Sequence, residues 1–410
     1  MKQISVALAL ACLVLAGCSA TGTSPQATSS TPAMSPATPA VQRVAAHGDE
    51  AAITEVPWSQ VGAGWTLATW NPATPTRGGD EPVGEPAPDT LFLVSPEGGR
   101  YKITTFAARA ENESGPMLVD WSGDGTRALF YNRRRDNSTD VIQVDLHTGA
   151  QTSFNVKQFD VTPRYSRPEG KAVLLAKSND VDNPASLVRV DLAGNHQLTY
   201  PIEQFGSKSG PDFLSTPDGT RLVLGTEAGG LAVMGNDGVG AKTLPVPGQQ
   251  YCGPTRWWDA DSTITVADCH DAQYSSSQLW LVPIDGSAPT LLTQPDNAQE
   301  GEVLDVGNAW KLPEGTFVQA YGGCGYRFLA KVDTFGETPT KVSVPNIDEH
   351  RSVGVIGVYH GNLELQASLS CGDGESLLSY DPGTGTSTVL LGAPLNGGGV
   401  VAALPYPGDE

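Results

Sequence analysis

The stretch Trp121-Ser-Gly-Asp-Gly-Thr-Arg-Ala-Leu-Phe-Tyr131 joins a tight turn to an apolar run, and this combination recurs along the chain. Gly125 can supply the positive φ angle that a hairpin turn needs, and Asp124 can hydrogen-bond to its own backbone. The residues that follow are typical of a β-strand. Similar turns precede apolar runs at Gly64, Gly170, Gly219, Asp261, Gly315 and Gly361. The repetition predicts seven copies of one β-rich unit.

A second turn follows another apolar run in each unit. Its glycines are Gly98, Gly149, Gly194, Gly238, Gly286, Gly336 and Gly385. Six intervals separate the first from the last, which gives about 48 residues per repeat, close to the period of a four-stranded propeller blade. We therefore expect an all-β fold, a single β-propeller of four-stranded blades, with seven blades favoured and six or eight as alternatives.

Two of the turns carry a recognisable sequence. Trp121-Ser-Gly-Asp-Gly125 and Ser215-Thr-Pro-Asp-Gly219 resemble the Trp-Ser-Pro-Asp-Gly turn of TolB-like propellers, which are WD-repeat-like. As a repeat pattern the resemblance covers most of residues 56–394, and it implies the propeller fold. It implies no catalytic or ligand residues, because the motif contains none. TolB proteins also have an α/β domain before the propeller, where this chain has a low-complexity segment.

The N-terminus resembles a bacterial lipoprotein signal. Lys2 precedes the apolar run Ile4–Leu15, which is too short for a stable transmembrane helix. The run ends in Leu15-Ala-Gly-Cys18, which resembles a lipobox. The resemblance implies that residues 1–17 are a removable signal peptide and that Cys18 carries the lipid anchor.

A tether is expected between the anchor and the propeller. Residues 19–40 contain 19 Ser, Thr, Ala or Pro among 22 residues, a composition that cannot bury enough apolar surface to fold. The predicted organisation is a signal peptide at 1–17, a lipidated and disordered tether at 18–52, and a propeller at 53–410. We expect the protein at the extracytoplasmic face of the cell membrane.

The charge of the chain narrows its partners. It has 25 Lys and Arg against 45 Asp and Glu, a net charge of −20 that disfavours nucleic-acid binding. The expected partners are the membrane, through the lipid anchor, and a protein or cell-envelope component. The loop Asn71–Asp89 offers Asp80, Glu81 and Glu85 to a basic partner.

Four cysteines remain besides the lipid-bearing one, and an even number in an exported protein predicts disulfides. Cys252 and Cys269 lie symmetrically about the turn at 259–262, so we expect them to pair across one hairpin. Cys324 and Cys371 end equivalent strands in neighbouring repeats, which favours a bridge between the sixth and seventh blades.

The sequence predicts no catalytic, cofactor or metal site. The nearest string to a nucleophile elbow, Gly206-Ser-Lys-Ser-Gly210, has lysine in place of the nucleophile, and no Cys-x-x-Cys pair exists. Trp257 and Trp258 suggest a carbohydrate-stacking surface, with one indole available and the other in the core. The predicted function is a non-catalytic binding or protein-interaction platform. The alternative is a secreted glycoside or lactone hydrolase, or a lyase, with its site in the central funnel.

Overall fold

The architecture comes from a computed structural model. It describes residues 43–408 except 74–86, 109–114, 179–183, 207–211, 228, 273–276, 295–304, 323–325, 346, 348–350, 370–373 and 393–397. Within this part of the chain, the strands form seven sheets, and these are the blades of a β-propeller. The predicted all-β, seven-bladed fold is confirmed.

The chain opens with β1 (Glu50–Ala52), β2 (Thr66–Asn71), β3 (Thr90–Val94) and β4 (Arg100–Thr105) in blade 1. Blade 2 contains β5 (Met117–Trp121), β6 (Arg127–Arg133), β7 (Thr139–Asp145) and β8 (Gln151–Val156). Blade 3 contains β9 (Val161–Tyr165), β10 (Ala172–Lys177), β11 (Ser186–Asp191) and β12 (His196–Thr199). Blade 4 contains β13 (Phe213–Ser215), β14 (Arg221–Gly225), β15 (Gly230–Gly235) and β16 (Lys242–Pro245). Blade 5 contains β17 (Tyr251–Trp257), β18 (Ile264–His270), β19 (Ser277–Pro283) and β20 (Thr290–Leu291). Blade 6 contains β21 (Asp305–Leu312), β22 (Gly315–Tyr321), β23 (Arg327–Val332) and β24 (Thr340–Lys341). Blade 7 contains β25 (Arg351–Tyr359), β26 (Asn362–Leu369), β27 (Gly374–Asp381) and β28 (Thr386–Leu391). The last strand is β29 (Gly399–Pro405), and short 3₁₀ helices span Ile53–Glu55, Trp58–Gln60 and Ile202–Phe205.

The recurring turn forms as its sequence requires. Gly125 has φ 72°, a left-handed conformation that glycine adopts without a steric penalty. Ser122 Oγ donates a hydrogen bond to Asp124 Oδ1 at 2.6 Å, and the same oxygen accepts the backbone N–H of Thr126 at 3.0 Å. The turn therefore reverses the chain between the first and second strands of blade 2.

The apolar core lies between blades. In the described residues it divides into seven clusters, each shared by two adjacent blades. Blades 1 and 2, for example, bury Leu67, Tyr101, Trp121 and Phe130 together, each at most 1% exposed. Every blade thus depends on both neighbours to remove its two faces from water.

The ring is closed by strands from both ends of the propeller. β29 pairs antiparallel with β2, with Leu404 opposite Leu67, and becomes the innermost strand of blade 1. β1 adds parallel to β4 at the outer edge of the same blade.

Residues 43–52, the end of the predicted tether, pack on blade 1. The Ala45 N–H donates to the Tyr101 hydroxyl at 2.7 Å, and the Arg100 N–H donates to the Asp49 carbonyl at 3.0 Å. A polar segment can follow an existing sheet edge through backbone hydrogen bonds alone, which its composition does not reveal. The described residues include no helix long and apolar enough to cross a bilayer.

Candidate functional site

A cavity of about 580 Å³ occupies one end of the central channel. This end is called the turn mouth, because the innermost strands end there and reverse through turns such as Ser122–Gly125. Blades 2 to 7 all contribute to the wall, together with Pro407 and Gly408 after β29. The opposite end, where the innermost strands begin, is called the loop mouth.

The wall of the cavity is rich in basic side chains. It includes Arg164, Arg167, Arg256 and Lys311, against the acidic Asp120 and Asp259. Arg164, Arg256 and Lys311 each stand one residue before the end of an innermost strand. The next residues, Tyr165 and Leu312, are buried between blades. All three basic residues line the cavity.

Asp120 and Arg167 neutralise each other across the interface of blades 2 and 3. Asp120 Oδ1 lies 3.0 Å from Arg167 Nη2, and Asp120 Oδ2 accepts the Tyr165 N–H at 2.6 Å. The Asp120 side chain is 1% exposed. This carboxylate is therefore fully occupied within the protein.

Asp259 is also occupied, in this case by its own turn. Its Oδ1 accepts the backbone N–H groups of Thr263 at 2.9 Å and Ile264 at 3.1 Å. Partial burial tends to raise the pKa of Asp259, but hydrogen bonds from Thr263 and Ile264 outweigh it and hold the pKa below its usual value.

The other basic residues of the wall contact backbone carbonyls, an aromatic ring or the cavity itself. Arg164 Nη1 donates to the Val119 carbonyl at 3.3 Å. Arg256 Nη1 donates to the Ala309 carbonyl at 2.9 Å, and its guanidinium lies 5.4 Å from the Trp310 ring centre. Lys311 is exposed to the cavity and makes no ion pair with any described residue. The cavity therefore carries a positive charge inside an acidic protein.

Aromatic side chains line the same space. Trp257 Nε1 donates to the Ser215 carbonyl at 3.2 Å, which fixes the orientation of the indole. Trp258 packs edge-on against Phe335, with ring centres 6.2 Å apart. Both indoles are half-buried and both line the cavity, so the expectation of one core and one available tryptophan is wrong. Strand alternation does not apply, because β17 ends at Trp257.

An acidic group lies at the loop mouth, in blades 4 to 6. Asp268 stands directly opposite Gly253 in the hairpin of β17 and β18. A methyl group at Gly253 would come within 2.8 Å of Asp212 Oδ2, so this glycine makes room for the Asp212 carboxylate. His270 Nε2 lies 3.5 Å from Asp268 Oδ1.

The surroundings shift the titration of all three groups. Enclosure by the channel wall and the charge of Asp268 raise the pKa of Asp212, against the effect of Arg164. Burial raises the pKa of Asp268, with Asp305 adding to it and His270 opposing it. The hydrogen bond with Asp268 raises the pKa of His270 despite partial burial. In the described residues, no set of three His, Cys, Asp or Glu side chains is arranged to hold a metal ion.

One of the two predicted disulfides lies within the described residues. Cys252 and Cys269 are bonded across the hairpin, with a Cα–Cα distance of 4.1 Å, and both are buried. The bridge is adjacent to the Gly253 and Asp268 pair and so holds these two strands together beside the acidic group. Cys18, Cys324, Cys371 and the loop segment 74–86 lie outside the described residues.

Comparisons with known proteins support the fold. No protein-family model and no curated protein matches the chain. A prolyl endopeptidase structure is 10% identical, with a TM-score of 0.53 over 83% of this chain and 51% of that one. This chain thus spans about half the length of that enzyme. Similar structures also include the propeller domain of the trilobed protease from Pyrococcus furiosus (11% identity, TM-score 0.48, 79% of this chain and 94% of that one) and a putative TolB from Agrobacterium tumefaciens (11%, 0.39, 84% and 99%). At such identities the likeness concerns the propeller fold alone.

Proposed function

We propose that this protein is a membrane-anchored, extracytoplasmic binding protein whose ligand occupies the cavity at the turn mouth. The observation that carries the proposal is the cavity itself. Its volume of about 580 Å³ falls within the range of ~300–1,000 Å³ typical of small-molecule sites. Its wall combines aromatic surface with a few oriented polar groups, the usual composition of such sites.

The residues of the wall favour binding over chemistry. The described lining contains no histidine or cysteine, and both of its carboxylates are occupied by neighbours. Hydrolysis by nucleophilic or general acid–base catalysis requires a nucleophile or a proton-transferring group within reach of the substrate. The serine and threonine hydroxyls of the described wall have no histidine or unoccupied carboxylate in the lining to activate them, so the wall is better suited to orienting a ligand.

The proposed location rests on the N-terminal sequence. The lipobox-like Leu15–Cys18 would supply the anchor, and the Ser, Thr, Pro and Ala-rich segment after it would supply the tether. The beginning of the propeller lies beside the Ser95–Gly99 turn, where the Gly48 N–H donates to the Gly98 carbonyl at 3.0 Å. This turn joins β3 to β4 and is on the same side of the propeller as the turn mouth, because successive antiparallel strands alternate in direction.

A cavity-filling variant tests the proposal. Leu214, half-buried on β13, lines the cavity, and Leu214→Trp would occupy part of it. Detergent-solubilised full-length protein is incubated with a cell-envelope extract, separated by size exclusion and examined by mass spectrometry. We expect a small molecule to be retained by the wild type and lost from a folded Leu214→Trp variant. Equal retention by both proteins, or none by the wild type, would contradict the proposal.

The acidic group at the loop mouth favours a second candidate, a hydrolase or lyase. Carboxyl groups with raised pKa values beside a histidine are typical of general acid–base catalysis. A panel of glycosides, lactones and esters tests it. Turnover that is lost in Asp212→Asn but kept in Leu214→Trp would assign catalysis to the loop mouth and would overturn the non-catalytic reading.

A further inference from the structure

The charge of the cavity is opposite to that of the chain. Four basic and two acidic side chains line it, in a protein whose net charge is −20. The two carboxylates are already satisfied, Asp120 by Arg167 and Asp259 by its turn. Surplus positive charge is therefore concentrated at one place on an acidic molecule. Since the chain has few basic residues, 25 in 410, three of them facing one cavity at the same strand position is a specific arrangement.

Arg164 and Lys311 are the most available of these cations. Arg164 belongs to blade 3 and Lys311 to blade 6, three blades apart in a ring of seven, so they approach the channel from nearly opposite sides. Their side chains are exposed. Arg164 donates to the neutral Val119 carbonyl at 3.3 Å, and its charge also acts on Asp212, whose raised pKa leaves that carboxyl less ionised than an ordinary aspartate. An anion between them would be attracted by both charges.

The aromatic residues add a second requirement. Trp257 is held in place by its hydrogen bond to Ser215, and Trp258 by its contact with Phe335. A rigid indole offers a flat apolar surface on which an aromatic or sugar ring stacks without ordering a flexible side chain. Arg256 lies on the same strand as Trp257 and is itself packed against Trp310. The wall therefore has a charged part and a flat part side by side.

We propose that the ligand of the turn mouth is a ring-bearing organic anion, whose carboxylate or phosphate group is held by Arg164 and Lys311 and whose ring packs on the Trp257–Trp258 wall. This inference rests on the proposed function and deepens it. It identifies Arg164 and Lys311 as the residues that select for charge. Neutral analogues of the same shape retain the ring contact only and bind more weakly.

Matched probes separate the two contributions. p-Nitrophenyl β-D-glucuronide and p-nitrophenyl β-D-glucoside share both rings and differ by one carboxylate, and p-nitrophenyl phosphate carries the other anion. Binding to detergent-solubilised full-length protein is measured by equilibrium dialysis. We expect at least one anionic probe to bind about a hundredfold more tightly than the glucoside, about tenfold for each of the two charge-assisted hydrogen bonds. The stronger of the two anionic probes indicates whether the natural group is a carboxylate or a phosphate.

Charge-removing variants locate the effect. Arg164→Gln and Lys311→Gln should each reduce the ratio of anion affinity to glucoside affinity by about tenfold. The control is Lys102→Gln, which removes an exposed lysine from the outer strand β4, far from the channel. An anion preference that persists in both cavity variants, or falls equally in the control, would overturn the assignment.

The result separates this inference from the function on which it depends. If glucoside and both anions bind equally, or no probe binds, the inference on ligand class is wrong, and retention of an envelope molecule by the wild type but not by Leu214→Trp still supports cavity binding. If Leu214→Trp changes nothing in either experiment, the cavity is not the binding site and both fail. Release of p-nitrophenolate that depends on Asp212 would instead support catalysis at the loop mouth.

Discussion

Asp120 on blade 2 and Arg167 on blade 3 form an ion pair across a blade interface, with 3.0 Å between Oδ1 and Nη2. This ion pair has two effects at the turn mouth. It binds adjacent innermost strands, since Asp120 also accepts the Tyr165 N–H, and it removes a negative charge from the cavity. The wall thus stays positive because its buried carboxylate is already neutralised.

The first prediction concerns this pair. Asp120→Ala removes the carboxylate that neutralises the largely buried Arg167 guanidinium and that accepts the Tyr165 N–H, so the free energy of unfolding should fall by about 3–5 kcal/mol. Denaturant unfolding measures the change. Glu50→Ala, which breaks the exposed pair with Arg100, serves as control and should cost about 1 kcal/mol or less. Equal losses in the two variants would mean that burial does not distinguish the pairs.

The second prediction concerns closure of the ring. Deleting residues 397–410 removes β29 and exposes the inner edge of β2, including the buried partner Leu67. We expect the melting temperature to fall by several degrees or more, at ~2–4 °C per kcal/mol for larger domains. The truncated chain should also self-associate, because it presents an unpaired strand edge. Calorimetry and light scattering measure both effects, and an unchanged melting curve would contradict the role of β29.

Most of the fold could be predicted from the sequence, because each blade repeats the same turn chemistry. The positive-φ glycine and the Asp side chain that caps the turn are local signals, and their period gives the blade count. The contact of residues 43–52 with blade 1 could not be predicted from such signals. Residues 43–52 have no apolar pattern, and only the outer edge of blade 1 gives their backbone a partner.

The candidate site could not be predicted in the same way. Arg164, Arg256 and Lys311 occupy one position in different repeats, each followed by a large apolar residue and then by the turn. Aligning the repeats on that turn would have placed them in register. The sequence does not show which basic residues of the wall form ion pairs, because partners such as Arg167 and Asp120 come from different blades. The acidic group at the loop mouth could not be predicted either, because Asp212 of blade 4 approaches Asp268 of blade 5 through the space that Gly253 leaves open.

The third prediction concerns the disulfides. Cys252→Ala with Cys269→Ala opens a bridge that closes a loop of 17 residues, and the unfolding free energy should fall by about 3 kcal/mol. Loss of the two buried sulfur atoms adds to this effect. Non-reducing peptide mapping should also find Cys324 joined to Cys371, between blades 6 and 7. A peptide that links Cys269 to Cys324 would contradict both pairings.

The fourth prediction concerns the anchor. Cys18→Ala removes the thiol to which the diacylglycerol group is expected to be attached, so labelled fatty acid should no longer be incorporated and residues 1–17 should remain on the protein. Metabolic labelling and intact-mass measurement test this. The Cys12→Ala variant, with its cysteine inside the apolar run, should be lipidated normally. Label in the Cys18 variant would show that the lipid is attached elsewhere.

The fifth prediction concerns the pH dependence of stability. The folded-state pKa of Asp212 is raised, so between the ordinary aspartate pKa near 3.9 and this higher value the folded protein binds more protons than the unfolded chain. The contribution of Asp212 to stability is therefore present at low pH and is lost as the pH rises through its folded pKa. The asparagine side chain of Asp212→Asn cannot ionise. The variant should therefore gain stability relative to wild type as the pH increases from about 4 to neutral.

The sign of this effect can be checked against a group that titrates in the opposite sense. Hydrogen bonds from the Thr216 hydroxyl and from Thr220 lower the pKa of Asp218, whose turn lies in the same blade as Asp212. Its contribution is lost as the pH falls through its folded pKa, so Asp218→Asn should lose stability relative to wild type as the pH increases from about 2 to about 5. Urea unfolding of the three proteins from about pH 2 to neutral gives two difference curves. Curves of opposite slope support the assignment, whereas a flat curve for Asp212→Asn would show that its carboxyl group titrates as it does in the unfolded chain. Because Asp268 and Arg164 both act on Asp212, repeating the series in Arg164→Gln should steepen the Asp212 curve, since the cation that favours the ionised form has been removed.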